Sequence, residues 1–186
     1  MSRQAGHLEV HEVDENRWPD FERLFESRGG PKWCWCMVFR MDESGKKPRD
    51  RAGLKRAMRR KVETGVRVGL LAYLDGEPVA WCSTAPRSTF VNLNALEPEG
   101  EDPGTVWSIS CFYVRSSLRR RGIMGTLIEE AVRCARDNGA SVIEAYPVDP
   151  ESPSYRFCGY VPVFETHGFR EVGRAGLRRH VMRRDV

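Results

Sequence analysis

No stretch of this chain approaches the ~20 consecutive apolar residues needed to span a bilayer. Its first residues, Met1-Ser2-Arg3-Gln4, lack the apolar core of a secretory signal, so neither a membrane protein nor an exported one is expected. Paired C-x-x-C spacings are missing too. Apart from Cys34 and Cys36, one residue apart, the cysteines (Cys82, Cys111, Cys134 and Cys158) are scattered, which argues against a zinc site or a disulfide framework and for reduced, mostly buried thiols in a cytoplasmic protein without metal. The four histidines, His7, His11, His167 and His180, are dispersed and read as ordinary surface or core residues. Charge of one sign is in short supply: 30 basic against 26 acidic residues leave +4, enough to suit an anionic ligand and too little to imply nucleic-acid binding. Two phosphate-binding patterns are also absent, Gly-x-x-x-x-Gly-Lys-Ser/Thr and a Gly-x-Gly-x-x-Gly following a first strand.

What is present fits one compact domain. The 186 residues are 40% hydrophobic and 30% charged, ordinary for a globular α/β protein. Residues 8–13 alternate as a half-buried strand does. Asn16 is placed to cap a helix with Trp18, Phe21, Leu24 and Phe25 on one face, stopped by Gly29-Gly30-Pro31. A second helix of about 15 residues is expected from near Arg49, with Leu54, Met58 and Val62 as its apolar stripe. Its other side carries Arg51, Lys55, Arg56, Arg59 and Arg60, read as a solvated face. Two strands, 67–74 and 78–84, flank the turn pair Asp75-Gly76. After a long loop at 86–104 come a strand at 105–114, an amphipathic helix from Gly122 to Asn138 and a buried strand at 141–146. A short helix within 155–167, beginning near Pro162, and strands at 169–172 and 179–182 complete the pattern.

The chemistry-bearing stretch is Tyr113-Val114-Arg115-Ser116-Ser117-Leu118-Arg119-Arg120-Arg121-Gly122-Ile123-Met124-Gly125-Thr126. A strand ends, a basic loop turns on a glycine, and a long helix starts. Unpaired N–H groups and the helix dipole favour an anion at such a terminus, three arginines add charge, and Gly122 and Gly125 leave room for the backbone to approach it.

This loop resembles the acetyl-CoA signature of the GNAT superfamily of N-acetyltransferases, Arg/Gln-x-x-Gly-x-Gly/Ala. Arg119 and Gly122 match, and Met124 departs at the last small position although Gly125 follows. The run Phe164-Glu165-Thr166-His167-Gly168-Phe169-Arg170-Glu171-Val172 is similar to the family's closing motif. Gly69–Tyr73, Trp81-Cys82 with Pro86-Arg87, and Tyr146-Pro147-Val148-Asp149 resemble a bacterial subgroup of undefined substrate. The resemblance implies a mixed sheet of about seven strands flanked by helices, splayed between the strands ending at Val114 and Tyr146. It implies acetyl-CoA as acyl donor, its pantetheine arm along Phe112, Tyr113 and Val114 and its diphosphate on Arg119, Arg120, Arg121, Gly122, Ile123, Met124, Gly125 and Thr126. The activity implied is direct acetyl transfer to a primary amine of a small molecule or protein; the sequence itself leaves a homodimer open. A backbone N–H near Tyr113 or Val114 would polarise the thioester carbonyl.

Proton handling is less legible. Phe164 stands where many members have a tyrosine acid, leaving Tyr155 and Tyr160 as candidates. The strand Trp107-Ser108-Ile109-Ser110-Cys111 lacks the usual carboxylate, so Ser108 and Ser110 are candidates to position a relaying water, and Cys111 a candidate nucleophile or simply a packed thiol. For the acceptor, Trp33, Trp35, Phe39 and Trp81 form either an aromatic ammonium pocket or part of the core, and Arg87 is a candidate partner for an acceptor carboxylate. Two other readings remain: a non-catalytic acyl-CoA-binding regulatory module, and a nucleic-acid-associated acetylase resting on the basic helix.

Overall fold

The structure is a computed structural model that describes residues 6–94 and 102–186. The first strand, β1 (Leu8–Glu12), is followed by a 3-10 turn at Glu15–Arg17 that runs into α1 (Trp18–Glu26). The cap is Asp14, whose carboxylate accepts from Arg17 N–H at 2.9 Å; Asn16 lies inside the turn and does not cap. The four apolar residues spaced for one face of α1 are all buried. Asp50 caps α2 (Arg51–Glu63) by accepting from Gly53 N–H at 2.8 Å. The hairpin of β2 (Leu70–Leu74) and β3 (Glu77–Pro86) turns on Asp75 and Gly76, both at positive φ. Such a two-residue turn matches the twist of the strands it joins.

Part of the long loop, residues 95–101 with most of its acidic run, lies outside the described residues. The chain then builds β4 (Val106–Val114), α3 (Ile123–Asp137) and β5 (Val142–Ala145). The helix expected within 155–167 divides in two. A 3-10 turn covers Arg156–Cys158, Gly159 and Tyr160 are not helical, and α4 (Val161–Thr166) starts beside Pro162, where a missing N–H costs nothing. Strands β6 (Arg170–Ala175) and β7 (Arg179–Asp185) run longer than the apolar pattern indicates.

The seven strands form one sheet in the order β1-β2-β3-β4-β5-β7-β6, antiparallel except for the central parallel pair β4–β5. α3 makes the crossover that a parallel pair requires. It covers one face with α4, burying Leu127, Ile128, Ala131, Val132 and Phe164 against the sheet. Each large aliphatic side chain buried there contributes about 1.5–3 kcal/mol. Residues of α1 and α2 cover the opposite face over β2 and β3, around Phe21, Phe25, Trp35 and Trp81.

The feature that positions the site is how early β4 and β5 part. Their register ends at Ile109↔Ala145, while β4 continues to Val114 and keeps pairing with β3. Beyond Ala145 the chain turns elsewhere: Val148 bridges to Tyr160 and Arg179. An open wedge therefore lies beside residues 110–114.

Candidate active site

One wall of the wedge is backbone. Arg115 N–H donates to the Val79 carbonyl at 3.0 Å, and antiparallel alternation then turns the N–H and C=O groups of Phe112 and Val114 away from β3. The Val114 carbonyl accordingly accepts from Arg119 Nε, at 3.1 Å. Of the two candidates for a polarising N–H, the strand geometry presents Val114 to the wedge and points Tyr113 back into the sheet. A bulge in β4 sits at the fork. Ser83 pairs with Cys111 and Thr84 with Ile109, so Ser110 is the extra residue.

The wedge opens onto the start of α3. Arg120 and Gly122 adopt left-handed conformations, φ 60° and 81°, and Gly122 holds the N-cap position with no side-chain cap. Thr126 N–H is bonded to the Gly122 carbonyl at 3.1 Å, so the N–H groups of Ile123, Met124 and Gly125 precede the first turn's acceptors. A methyl group placed on Gly122 would meet nothing within 4 Å, Arg119, Arg120 and Arg121 are exposed, and Arg115 Nε is buried without a partner. Open space, free donors and positive charge fit the diphosphate of coenzyme A. Gly125 has a different reason to be small. A Cβ there would lie 2.8 Å from Nε2 of His167, whose Nδ1 is 2.7 Å from Glu129 Oε1. Its missing side chain admits α4's end rather than an anion.

Beneath the fork, on the face opposite α3, runs a row of buried polar groups. Ser108 Oγ lies 3.2 Å from Tyr146 Oη, and Tyr146 donates to Glu144 Oε2 at 2.6 Å. Glu144 is fully buried on β5 directly beside Ser108, and its other oxygen faces Arg183 (2.7 Å) and Arg87 (3.4 Å). A carboxylate that β4 lacks thus stands beside Ser108 on the neighbouring strand. Burial, then the Glu144 charge, push the Tyr146 hydroxyl far above its ordinary range, so it stays protonated and donating. Glu144 belongs to no motif in the sequence. Its only signal was a charged residue inside the apolar strand Val142-Ile143-Glu144-Ala145.

The remaining candidates separate. Ser110 donates to Ser83 Oγ at 3.0 Å. Cys111 is buried, and a hydrogen bond to Cys36 together with desolvation raises its pKa well above a free thiol's, so it is no ready nucleophile. The same contact lowers Cys36, assisted by Trp81 Nε1, which donates to its sulfur at 3.2 Å. Tyr155 is exposed beside the turn at Arg156–Cys158, and Tyr160 accepts from Arg156 Nε at 2.8 Å. Phe164 is fully buried between Phe112 and Phe169.

Of the two readings of the four aromatics, pocket or core, the core one describes Trp35, Trp81 and Phe39, and the four do not share one site. Trp33 is 74% exposed, beside Arg51. Trp35 and Trp81 are sealed under α1 by Phe21 and Phe25, because the stripe of that helix needs a partner surface. Phe39 belongs to another cluster, with Phe90, Tyr146 and Val181. Arg87 already faces a carboxylate of the chain itself, Glu144. On α2, Arg51 and Lys55 pair with Glu26, Arg59 with Glu63 and Arg60 with Glu43, which leaves a mixed surface rather than a positive stripe.

Residues 10–160 match the model of the acetyltransferase (GNAT) family. Among solved structures, the chain is similar to the PaiA N-acetyltransferase of Thermoplasma acidophilum in complex with coenzyme A: 14% identity, 97% of this chain and 99% of that one, TM-score 0.55. The GNAT domain of S. lividans PAT aligns with 95% of this chain and 89% of its own at 18% identity and TM-score 0.60. The aminoglycoside acetyltransferase AAC(6')-Ib in complex with coenzyme A aligns with 96% of this chain and 95% of its own at 17% identity and TM-score 0.61. At these identities the structures speak for the fold alone. Among curated proteins no sequence matches significantly. With a family match over most of its length and a seven-stranded sheet forked between β4 and β5, the chain belongs to the GNAT acetyltransferase family.

Proposed function

We propose that the protein is an acetyl-CoA-dependent N-acetyltransferase acting on a primary amine. The observation that carries this reading is the fork after Ile109 and Ala145, opening onto the uncapped, arginine-flanked start of α3. Bound acetyl-CoA would supply an activated acetyl thioester. Ile123, Met124 and Gly125 would hold its diphosphate through their N–H groups, with Arg120 and Arg121 adding charge. The Val114 N–H would stabilise negative charge developing on the thioester oxygen. The acceptor nitrogen must shed a proton, and Ser108, Tyr146 and Glu144 form a row able to take it: Ser108 donates to Tyr146 as Tyr146 donates to Glu144. Six free thiols suit a reducing, cytoplasmic setting.

The test is release of free coenzyme A thiol from acetyl-CoA across a panel of primary amines. Amine-dependent release supports the enzyme reading. Coenzyme A binding without release for any amine would make the chain an acyl-CoA-binding regulatory module instead.

A further inference from the structure

Arg179 opens β7, and its environment is unusual for an arginine. It is 4% exposed, its Nη1 is buried without a hydrogen-bond partner, and among the described residues it forms no ion pair. Aromatic faces surround it instead: Phe39 at 4.9 Å, Tyr155 at 5.0 Å and Tyr146 at 5.9 Å from the guanidinium carbon. Cation–π attraction offsets part of the cost of stripping water from a guanidinium. An unpaired, positively charged donor is left over, and an anion would suit it.

Its position says where that anion would come from. Alternation along β7 puts Arg179, Val181 and Arg183 on one face, and Arg183 reaches Glu144 while Val181 joins the cluster of Phe39 and Tyr146. Arg179 thus shares the face of Ser108, Tyr146 and Glu144, one ring away from that row. Arg87 and Arg183 both face Glu144, and buried Arg40 spends two of its nitrogens on Thr89 Oγ1 and the Val68 carbonyl. Arg179 has neither kind of partner. Tyr155, exposed and at positive φ, forms the outer wall of its cage.

We infer that Arg179 anchors a carboxylate of the acceptor, and that the acceptor class is a small amine bearing a carboxylate, such as a free amino acid. This rests on the proposed N-acetyltransferase function. A zwitterionic acceptor matches the two ends of the face: its carboxylate meets the arginine cage, and its ammonium group meets the row that ends in Glu144. A polycationic amine would set a positive group against an already unpaired arginine.

The experiment measures thiol release with acetyl-CoA and three sets of acceptors: free L-amino acids, their carboxamides, and a polyamine. Coenzyme A binding is followed separately by calorimetry. For the best amino acid, the carboxamide should raise KM by about 30–100-fold, as loss of a buried charged partner does. Arg179→Gln should shrink that acid-over-amide preference to about threefold or less, and Arg179→Lys should keep part of it. Amides or the polyamine outperforming free acids in the unaltered protein would overturn the inference, with or without a folded variant. So would an acid preference that survives Arg179→Gln. Failure of coenzyme A to bind would overturn the enzyme reading itself, and the inference with it.

Discussion

Removing a single oxygen, by Tyr146→Phe, separates the proton row from the packing around it. Tyr146 is fully buried, and the substitution keeps its ring against Phe39 and Val181 while deleting the link between Ser108 and Glu144. Glu144 keeps Arg183 at 2.7 and 2.8 Å and Arg87 on Oε1, so its charge is not stranded, while its Oε2 loses the Tyr146 donor. Ser108 loses one partner. Two buried hydrogen bonds, at a net of about 0.5–1.5 kcal/mol each, cost about 1–3 kcal/mol together. That is well short of a typical domain stability of about 5–15 kcal/mol, and the variant should fold. Activity should respond far more, falling about 10²–10⁴-fold at neutral pH because general-base assistance is worth that much. The deficit should narrow as pH rises, because bulk hydroxide then removes the acceptor's proton without the row. The assay is kcat/KM for thiol release from about pH 6 to 10, with the urea midpoint as a control for folding. A folded variant within about threefold of the parent at neutral pH, or a deficit constant across pH, would refute the relay.

Two further outcomes follow from other parts of the molecule. Phe164→Ala should lower stability by about 3–5 kcal/mol, because the ring is fully buried against Phe112 and Phe169, and should spare turnover in whatever fraction folds. Urea unfolding beside specific activity checks this, and full stability with abolished turnover would contradict it. Burial raises the Glu129 carboxyl, but hydrogen bonds from His167 and Arg184 outweigh it and hold the group below its ordinary 4.5. A depressed carboxyl stabilises the fold above the unfolded value and loses that contribution as pH falls through the folded one. Glu129→Gln should therefore lower the urea midpoint near neutral pH and make less difference near pH 3; an equal loss at both would count against the pairing.

The fold was legible where pattern and burial coincide. The stripe of α1, the Asp75-Gly76 hairpin and the long helix after Gly122 are local features, and each formed where its spacing indicated. The site was legible only along one segment. Gly122 could be read from its place before a helix, but the crowding of Gly125 by His167 crosses between α3 and α4, a contact that no local pattern encodes. Glu144 stands beside Ser108 only because β4 and β5 pair in parallel. Trp35 and Trp81 illustrate the reverse ambiguity, since aromatic side chains suit a core and a pocket equally until the covering helix is placed. Arg179 opens a strand that the pattern indicates, but its burial depends on Phe39 and Tyr155, which no local pattern places over it.

The uncapped start of α3 is proposed to hold coenzyme A. Calorimetric titration of coenzyme A into the parent protein and into Gly122→Glu tests it most directly, since the carboxylate would enter space where no atom lies within 4 Å of a Cβ. Saturable binding to the parent, weakened about 10²-fold or more in a folded variant, is predicted from the loss of charge-assisted hydrogen bonds at that terminus. No binding to the parent, or equal affinity in both, would contradict it.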